Sequence, residues 1–482
     1  MKRILMVSSE AVPYIKTGGL ADVVGSLPKY VNSEEYDVRV ILPKYACMNQ
    51  KFLPELQFVC HFYVNLNWRK QYAGIFKAEH KGITYYFVDN EFYFAGNTLY
   101  NNIHEDVEKF AFFSKAVLKA LPYIDFCPDV IHCNDWQTGL VPVFLKTEFY
   151  QDSYYIGMKT IFSIHNLKFQ GRWHVQDIMD VTGLPASIFT SDKLEAYGEA
   201  NYLKGGCVYA DAVSTVSPSY AADITTPEGG EGLDGLMSAR RNDLYGIVNG
   251  IDYDDFNPMT DPVMAENFSV KTVAKGKKAN KLALQKEMGL PEKKDAFLVG
   301  MVSRLTDQKG FDLVAYVMEE MLATMDIQFV VLGTGEYRFE EMFRYFQSKY
   351  PDKVSAYIGY SEDKAHQIYA SCDAFLMPSL FEPCGLSQMM SMRYGTIPIV
   401  RETGGLKDTV QPYNEYENTG TGFSFAAYNA HDMMYVIKYA YHVYKEQKKQ
   451  WDGLVKRAME EDFSWDASAR KYEALYDKLI SQ

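Results

Sequence analysis

Arg304 and Lys309 lie just past the apolar run 297–302, in the segment SRLTDQKG. Two cations at one strand end can grip a diphosphate, the guanidinium as a planar fork and the ammonium as a point charge. Such cations stabilise a departing diphosphate where other enzymes use a metal. A surface basic pair before a helix is the plain alternative. Glu382 sits at the tip of PSLFEPCGLS, before Pro383, which fixes the backbone after it, and Gly385, which allows a close approach. A carboxylate there can bind sugar hydroxyls and stabilise an oxocarbenium-like transition state. Equally, it can be an acid that satisfies the dipole of the next helix. His165, at the end of TIFSIHN, can hydrogen-bond a sugar hydroxyl or be structural. Asp135 and Trp136, at the end of DVIHCNDW, can bind a sugar by hydrogen bond and ring, or be a capping acid and a core ring.

Two turns share a text. KTGGLAD (16–22) follows the first apolar run, and ETGGLKD (402–408) follows a late one. Lys16, Gly18 and Gly19 belong to the first, and Thr403, Gly404 and Gly405 to the second. Adjacent glycines let backbone approach a phosphate, and the helix that follows offers free N–H groups and a positive dipole end. Shared ancestry of two halves and a shared phosphate-binding job both fit the echo. So do two ordinary strand-to-helix turns.

The elements that position these residues are legible as apolar runs alternating with helical patterns. Strands are expected at 4–8, 37–45, 129–136, 160–166, in 212–221 before a helix start, and at 245–252, then at 297–305, 327–335, 354–360, 374–379 and 397–405. Residues 51–95 alternate apolar and polar, as an antiparallel insertion does. Residues 253–278 lack periodicity and are expected as a linker. This predicts an α/β fold with two Rossmann-like, doubly wound domains facing across a cleft. The domains are 1–252 and 279–462. Lys16, Asp135, His165, Asn249, Arg304, Tyr360, Glu382 and Thr403 fall at or just after strand ends, where ligands bind in such sheets. Tyr360 can stack on a base, although with 37 tyrosines in the chain a core ring is the plainer reading.

Composition excludes several classes. The net charge is −13, with no basic block, which argues against nucleic acid. No stretch reaches about 18 apolar residues, so no membrane span is expected. Seven scattered cysteines without a CxxC pair fit a reduced, cytoplasmic setting. No clustered carboxylate or histidine motif suggests a metal, and no Walker loop is present.

At these motifs the sequence resembles the bacterial glycogen synthases and plant starch synthases, glycosyltransferase family 5. The resemblance runs nearly end to end. It is carried by SSEAVPYIKTGGLADVVGSLP, HCNDWQTGL, SIHNLKFQG, NYLKGG, EGGEGLDG, GIVNGID, SRLTDQKG, VLGTG, FEPCGLSQMMSMRYGT and RETGGLKDTV, in family order. It implies a GT-B fold, whose last helix crosses back so that about 463–482 joins the first domain, and retaining transfer of glucose from ADP-glucose to the non-reducing 4-OH of an α-1,4-glucan such as glycogen or a maltooligosaccharide. ADP leaves, and no cofactor or metal is required. By motif position, Lys16, Gly18 and Gly19 would line the donor phosphates, Arg304 and Lys309 would hold the diphosphate, and Tyr360 would lie near adenine. Glu382 would face the glucose, with Cys384, Gly385, Leu386, Thr403, Gly404 and Gly405 around sugar and phosphate. Asn249 would be on the donor side. His165 and Asn166 would sit by the donor glucose, and Asp135, Trp136 and Gln170 nearer the acceptor. Asn134 and Gln137 stand where many relatives have His, and this departure would bear on glucan preference. A transferase using UDP-glucose or a small acceptor, and a non-catalytic glucan scaffold, are the rival readings. A homo-oligomer stays open.

Overall fold

The computed structural model describes residues 1–482. The chain divides into two compact units, Met1–Gly250 with Trp465–Gln482, and Ile251–Ser464. In the first, the strand order is Leu244–Gly246, Ala212–Thr215, Lys159–Ile164, Val130–Asn134, Lys2–Val7, Tyr36–Pro43, Ile83–Asp89, Arg69–His80 and Gln57–Leu66. The pairs from Leu244–Gly246 through Ile83–Asp89 are parallel, and the last two pairs are antiparallel. The parallel strands read as continuous apolar runs because helices cover both faces; Ile4, Leu5, Met6 and Val7 are all 0% exposed. The 51–95 insertion is antiparallel from Gln57–Leu66 through Arg69–His80 to Ile83–Asp89, two hairpins in a row. Ile83–Asp89 also runs parallel to Tyr36–Pro43 and so joins the insertion to the main sheet.

The second unit carries Val354–Ile358, Ile327–Gly333, Phe297–Val302, Ala374–Met377, Ile397–Arg401 and Phe423–Phe425 in that order, all parallel. Numbered within the unit, this is 3-2-1-4-5-6, the Rossmann order, whose ligand crevice opens where the order reverses. The reversal lies between Phe297–Val302 and Ala374–Met377. The loops that leave them hold Arg304, Lys309 and Glu382. In the first unit the order reverses between Lys2–Val7 and Val130–Asn134. The loops there hold Lys16 and Asp135.

Residues 253–278 are not a free linker. They pack into the second unit through side chains that hold irregular backbone. Buried Asp261 accepts from Tyr394 OH at 2.5 Å and pairs with His366 Nδ1 at 2.7 Å. Asn280 holds Ala265 N–H at 2.8 Å and Glu266 O at 2.7 Å, and Val273–Glu287 is helical. The run 245–252 is a strand only to Gly246. Beyond it, a side chain at Gly250 would meet the Trp465 backbone at 2.7 Å.

The helix Trp465–Ile480 completes the first unit. Tyr476 OH meets buried His132 Nδ1 at 2.8 Å, Asp477 accepts from Tyr36 OH at 2.6 Å, and Ser468 Oγ donates to Val248 O at 2.5 Å. Tyr476 is 1% exposed, so Tyr476→Ala removes a core ring and the partner of His132 Nδ1. We expect the unfolding transition of the first unit to lose about 3–5 kcal/mol in urea titration. A loss under about 1 kcal/mol would mean that the helix contributes little to that core.

Candidate active site

The second unit's candidate site is built from loops after three neighbouring strands. Asp307–Lys309 forms one helical turn that ends at Gly310, with φ +74°. A Cβ on Gly310 would come within 2.0 Å of Pro378 O, so only glycine lets the Arg304–Gly310 loop lie against the next one. Gln308 fastens the two, its side chain donating to Phe381 O at 3.2 Å and its backbone carbonyl accepting from Leu380 N–H at 2.9 Å. Lys309 Nζ thereby reaches Glu382 Oε2 at 2.6 Å, and Ser379 Oγ donates to the same oxygen at 3.1 Å. Glu382 is 6% exposed. The sequence left it open whether Glu382 is a sugar-facing acid or a helix cap. In the fold it forms a buried ion pair, and the helix Ser387–Arg393 begins without a side-chain cap. Arg304 lies exposed beside this pair in sequence.

The ETGGLKD turn interlocks with FEPCGLS. Gly405 N–H donates to Glu382 O at 3.1 Å and Pro383 O at 3.2 Å. A Cβ at Gly404, with φ +46°, would lie 2.0 Å from Glu382 O, and one at Gly405 would lie 2.2 Å from Cys384 O. Buried Gln388 donates to Cys384 O, Gly385 O and Thr409 Oγ1 at 2.9–3.1 Å, and Thr409 Oγ1 donates to Gly405 O at 2.7 Å. These glycines therefore make room for the neighbouring turn. Gly18 differs: nothing lies within 4 Å of its Cβ position. It precedes the 13-residue helix Gly19–Val31, which has no side-chain cap. The shared TGGL text thus meets two separate demands, backbone crossing in one unit and open approach to a helix N-terminus in the other.

Around Lys16 the first unit holds a carboxylate that the sequence reading passed over. Glu10, 3% exposed, accepts from Thr17 N–H at 2.5 Å, Thr17 Oγ1 at 2.9 Å and Tyr100 OH at 3.0 Å. Burial raises its pKa, opposed by those donors. It fixes the turn that presents Lys16, whose Nζ pairs with Asp22 at 2.8 Å. The available signal was an acid in SSEAVPY six residues before a lysine at a strand end.

Asp135 has φ +56°, an uncommon state for a residue with a Cβ. It places the carboxylate under the next strand end, where Oδ1 accepts from His165 N–H at 2.7 Å and Asn166 N–H at 3.4 Å. His165 Nε2 meets Asn134 Oδ1 at 2.9 Å. The Asn134 amide already donates to Val7 O and His132 O at 3.0 and 3.1 Å. Its oxygen must therefore accept, which assigns the proton to His165 Nε2 and leaves Nδ1 as an acceptor. Burial pushes the His165 imidazole down to about 3, so it is neutral at pH 7. Asn134 is 1% exposed and Gln137 7%. Both are core residues, and Asn134 acts on the site only by orienting His165.

Trp136 and Gln170 are also core. Trp136, 6% exposed, packs under Gly171 and edge-on to Phe110 at 5.3 Å. Gln170 donates to Leu167 O and Glu231 O and accepts from Asn201 at 2.7 Å. Neither offers a ring face or a free amide to a sugar. Asn166 is half-buried, its Oδ1 accepting from Lys168 N–H at 3.1 Å. Asn249 is 5% exposed, and its Oδ1 has no hydrogen-bond partner. Tyr360 is 72% exposed after the strand Val354–Ile358, and Cys384 and Leu386 lie in the interlocked turn. No three His, Cys, Asp or Glu side chains gather into a metal-binding set, and no helix is long and apolar enough to cross a membrane.

Burial raises Asp135 from 3.8 to about 7, with a smaller push from Glu10. The folded state then keeps a proton that the unfolded chain releases, so Asp135 lowers stability progressively as pH climbs from about 4 to about 7. The substitution Asp135→Asn keeps the accepting oxygen and drops the titration. We expect the thermal midpoint of the wild type to fall relative to this variant across that window. Parallel curves would place the Asp135 carboxyl near its ordinary value.

Known proteins match this architecture throughout. A family model described as the starch synthase catalytic domain matches residues 3–239, and one described as glycosyl transferases group 1 matches residues 285–452. The chain is 63% identical to the glycogen synthase of Lachnospira eligens over 99% of its own length and 100% of that protein's. It is 58% identical to that of Lachnoclostridium phytofermentans over 99% and 100%, and 49% identical to that of Geobacillus stearothermophilus over 100% and 98%. The solved catalytic domain of starch synthase IV from Arabidopsis thaliana, bound to ADP and acarbose, superposes with a TM-score of 0.93 at 33% identity, covering 100% of this chain and 99% of that one. Matched in both halves and along nearly its whole length, the chain belongs to the glycogen synthase and starch synthase family of glycosyltransferases, family 5, and is a glycosyltransferase of GT-B fold.

Proposed function

We propose that this enzyme is a glycogen synthase. It transfers glucose with retention from ADP-glucose to the non-reducing 4-OH of an α-1,4-glucan. The observation that carries the chemistry is the Lys309–Glu382 contact of 2.6 Å at the point where the strand order of the second unit reverses. Full-length identity to glycogen synthases, and a starch synthase neighbour solved with ADP and acarbose, support the donor and acceptor classes.

In this reading Lys309, with Arg304, takes the diphosphate. The bond from glucose C1 to the phosphate oxygen breaks, its electron pair leaves with ADP, and the cations balance the growing charge. No metal or cofactor is required. Moving Lys309 onto phosphate releases Glu382 Oε2 toward the sugar, where a carboxylate stabilises the oxocarbenium-like carbon and binds hydroxyls. The acceptor 4-OH attacks the same face and passes its proton to the departing phosphate oxygen. Lys16, Gly18 and Gly19 contact donor phosphate, and Thr403, Gly404 and Gly405 hold the loop around sugar and phosphate. Asn249 is on the donor side, and Tyr360 is near the adenine. His165 accepts from a glucose hydroxyl through Nδ1, and Asp135 sets its position. Trp136 and Gln170 support the acceptor side from the core.

Nucleotide release with glycogen present tests the reading. ADP release from ADP-glucose, well above UDP release from UDP-glucose, is expected. Release from UDP-glucose alone would move the donor assignment, and release from neither would overturn the proposal. Glu382→Ala should cut turnover by about a thousandfold or more. Because it frees Lys309 from its partner, ADP should bind as well as before or better by calorimetry. Weakened ADP binding in that variant would remove Glu382 from the sugar-facing role.

A further inference from the structure

We propose that Arg401, with Tyr428 behind it, is a positioning residue that holds the segment before Glu382 in place while Glu382 gives up Lys309. The inference rests on the reading in which Lys309 moves onto the diphosphate and Glu382 turns to the sugar. In the structure Lys309 Nζ and Ser379 Oγ both hold Glu382 Oε2, at 2.6 and 3.1 Å. Once the ammonium has left, the Ser379 hydroxyl remains, and it is useful only if the backbone that carries it stays still. Ser379 lies in the loop 378–386, which has neither helix nor strand to fix it. Its backbone groups need partners from outside the loop.

Arg401 supplies them. It ends the strand Ile397–Arg401, which runs beside Ala374–Met377, and it is half-buried. Its Nη1 donates to Leu380 O at 2.6 Å and, at 3.4 Å, to Ser379 O. Gln308 takes the neighbouring groups, Leu380 N–H and Phe381 O. The segment before Glu382 is thus gripped from two strand ends, and Arg401 is the charged grip. The Tyr428 ring lies against the guanidinium, its centroid 5.6 Å from Arg401 Cζ, within reach of a cation–π contact. Tyr428 OH donates to Asp312 Oδ1 at 2.5 Å, and Asp312 stands in the first turn of Phe311–Thr324, just past Gly310. Next to Tyr428, Asn429 caps the helix Ala430–Glu446 through the N–H groups of His431 and Asp432 at 2.9 and 3.2 Å. The ring is therefore anchored by its hydroxyl at one end and by a capped helix at the other.

This geometry suits a brace. A planar guanidinium can hold carbonyls at its edge and a ring on its face at once, which a compact ammonium cannot. Hydrogen bonds from a charged donor are about twice as strong as neutral ones. Arg401 spends its donors on carbonyl oxygens of the loop, whereas Lys309 pairs with a carboxylate that it can leave for phosphate. A misplacement of about 1 Å at a reacting group can cost about a hundredfold in rate. A brace that acts through the backbone of Ser379 and Leu380 accordingly shows in turnover, while the donor still binds.

The test measures kcat, the KM for ADP-glucose, ADP affinity by calorimetry and the thermal midpoint in the wild type, Arg401→Ala, Arg401→Lys and Tyr428→Phe. We expect Arg401→Ala to lose about a hundredfold in kcat, with KM and ADP affinity within about twofold of the wild type. Arg401→Lys should lose about tenfold, because an ammonium cannot keep both the carbonyls and the ring. Guanidinium chloride at millimolar concentration should restore turnover to Arg401→Ala, against sodium chloride at equal ionic strength, by refilling the space between Leu380 O and the Tyr428 ring. Tyr428→Phe keeps the ring face and loses the Asp312 bond, so a smaller loss of about fivefold is expected. This variant and Arg401→Lys keep the experiment decisive if Arg401→Ala is unstable. Unchanged kcat in both would overturn the brace. ADP affinity that falls in step with kcat would make Arg401 a phosphate ligand and overturn it too, as would a lowered thermal midpoint without guanidinium rescue, which would assign Arg401 to the fold alone. A wild type that transfers glucose from no nucleotide sugar would sink the proposed activity itself, whereas full turnover in the variants would remove only the brace.

Discussion

A carboxylate that is 6% exposed needs compensating partners, and the second unit is arranged so that Glu382 meets Lys309. Removing one partner from a buried pair costs about 3–5 kcal/mol. The surrounding backbone is therefore committed to keeping both in place. The strand order sets Phe297–Val302 beside Ala374–Met377, so the loops that leave them run side by side. Gly310 then lets those loops touch, and Gly404 and Gly405 admit the third turn across the carbonyls of Glu382 and Cys384. Gln388 and Thr409 close the arrangement with a relay of hydrogen bonds between the two turns.

The first unit solves a similar problem with backbone amides in place of a cation. Glu10, buried, and Asp135, half-buried, are both acids at the reversal of the sheet order. Thr17 N–H and two hydroxyls hold one, and the N–H groups of His165 and Asn166 hold the other. Amides compensate a buried carboxylate less fully than an ammonium does, and burial accordingly lifts both acids above their ordinary range. A cation-held pair in one unit and amide-held acids in the other suit different tasks. In the proposed reading the former trades its partner for phosphate, whereas the latter hold a turn and an imidazole in fixed positions.

Much of this was legible in the sequence. Apolar runs marked the strands, and polar residues at their ends marked the candidate site, because parallel strands are buried on both faces and expose only their ends. Type and spacing failed where orientation mattered. Trp136 and Gln170 sit in motifs rich in functional residues, yet one packs under Gly171 and the other holds Asn201. Asn134, read as a departure on the acceptor side, is a buried brace for His165. The irregular stretch 253–278 reads as a linker because its order comes from Asp261 and Asn280 side chains, which leave no periodic trace.

By itself, the sequence determined the alternation of strands and helices, the family motifs, and the residue types available at each strand end. Those are local properties, set by hydrophobic period and turn chemistry within a few residues. The tertiary structure alone decided which of those residues meet. Lys309 and Glu382 are 73 residues apart, and His132 and Tyr476 are 344 apart. Such contacts depend on strand order and on the closure of long loops, and burial then selects which polar side chains keep a partner and which face solvent.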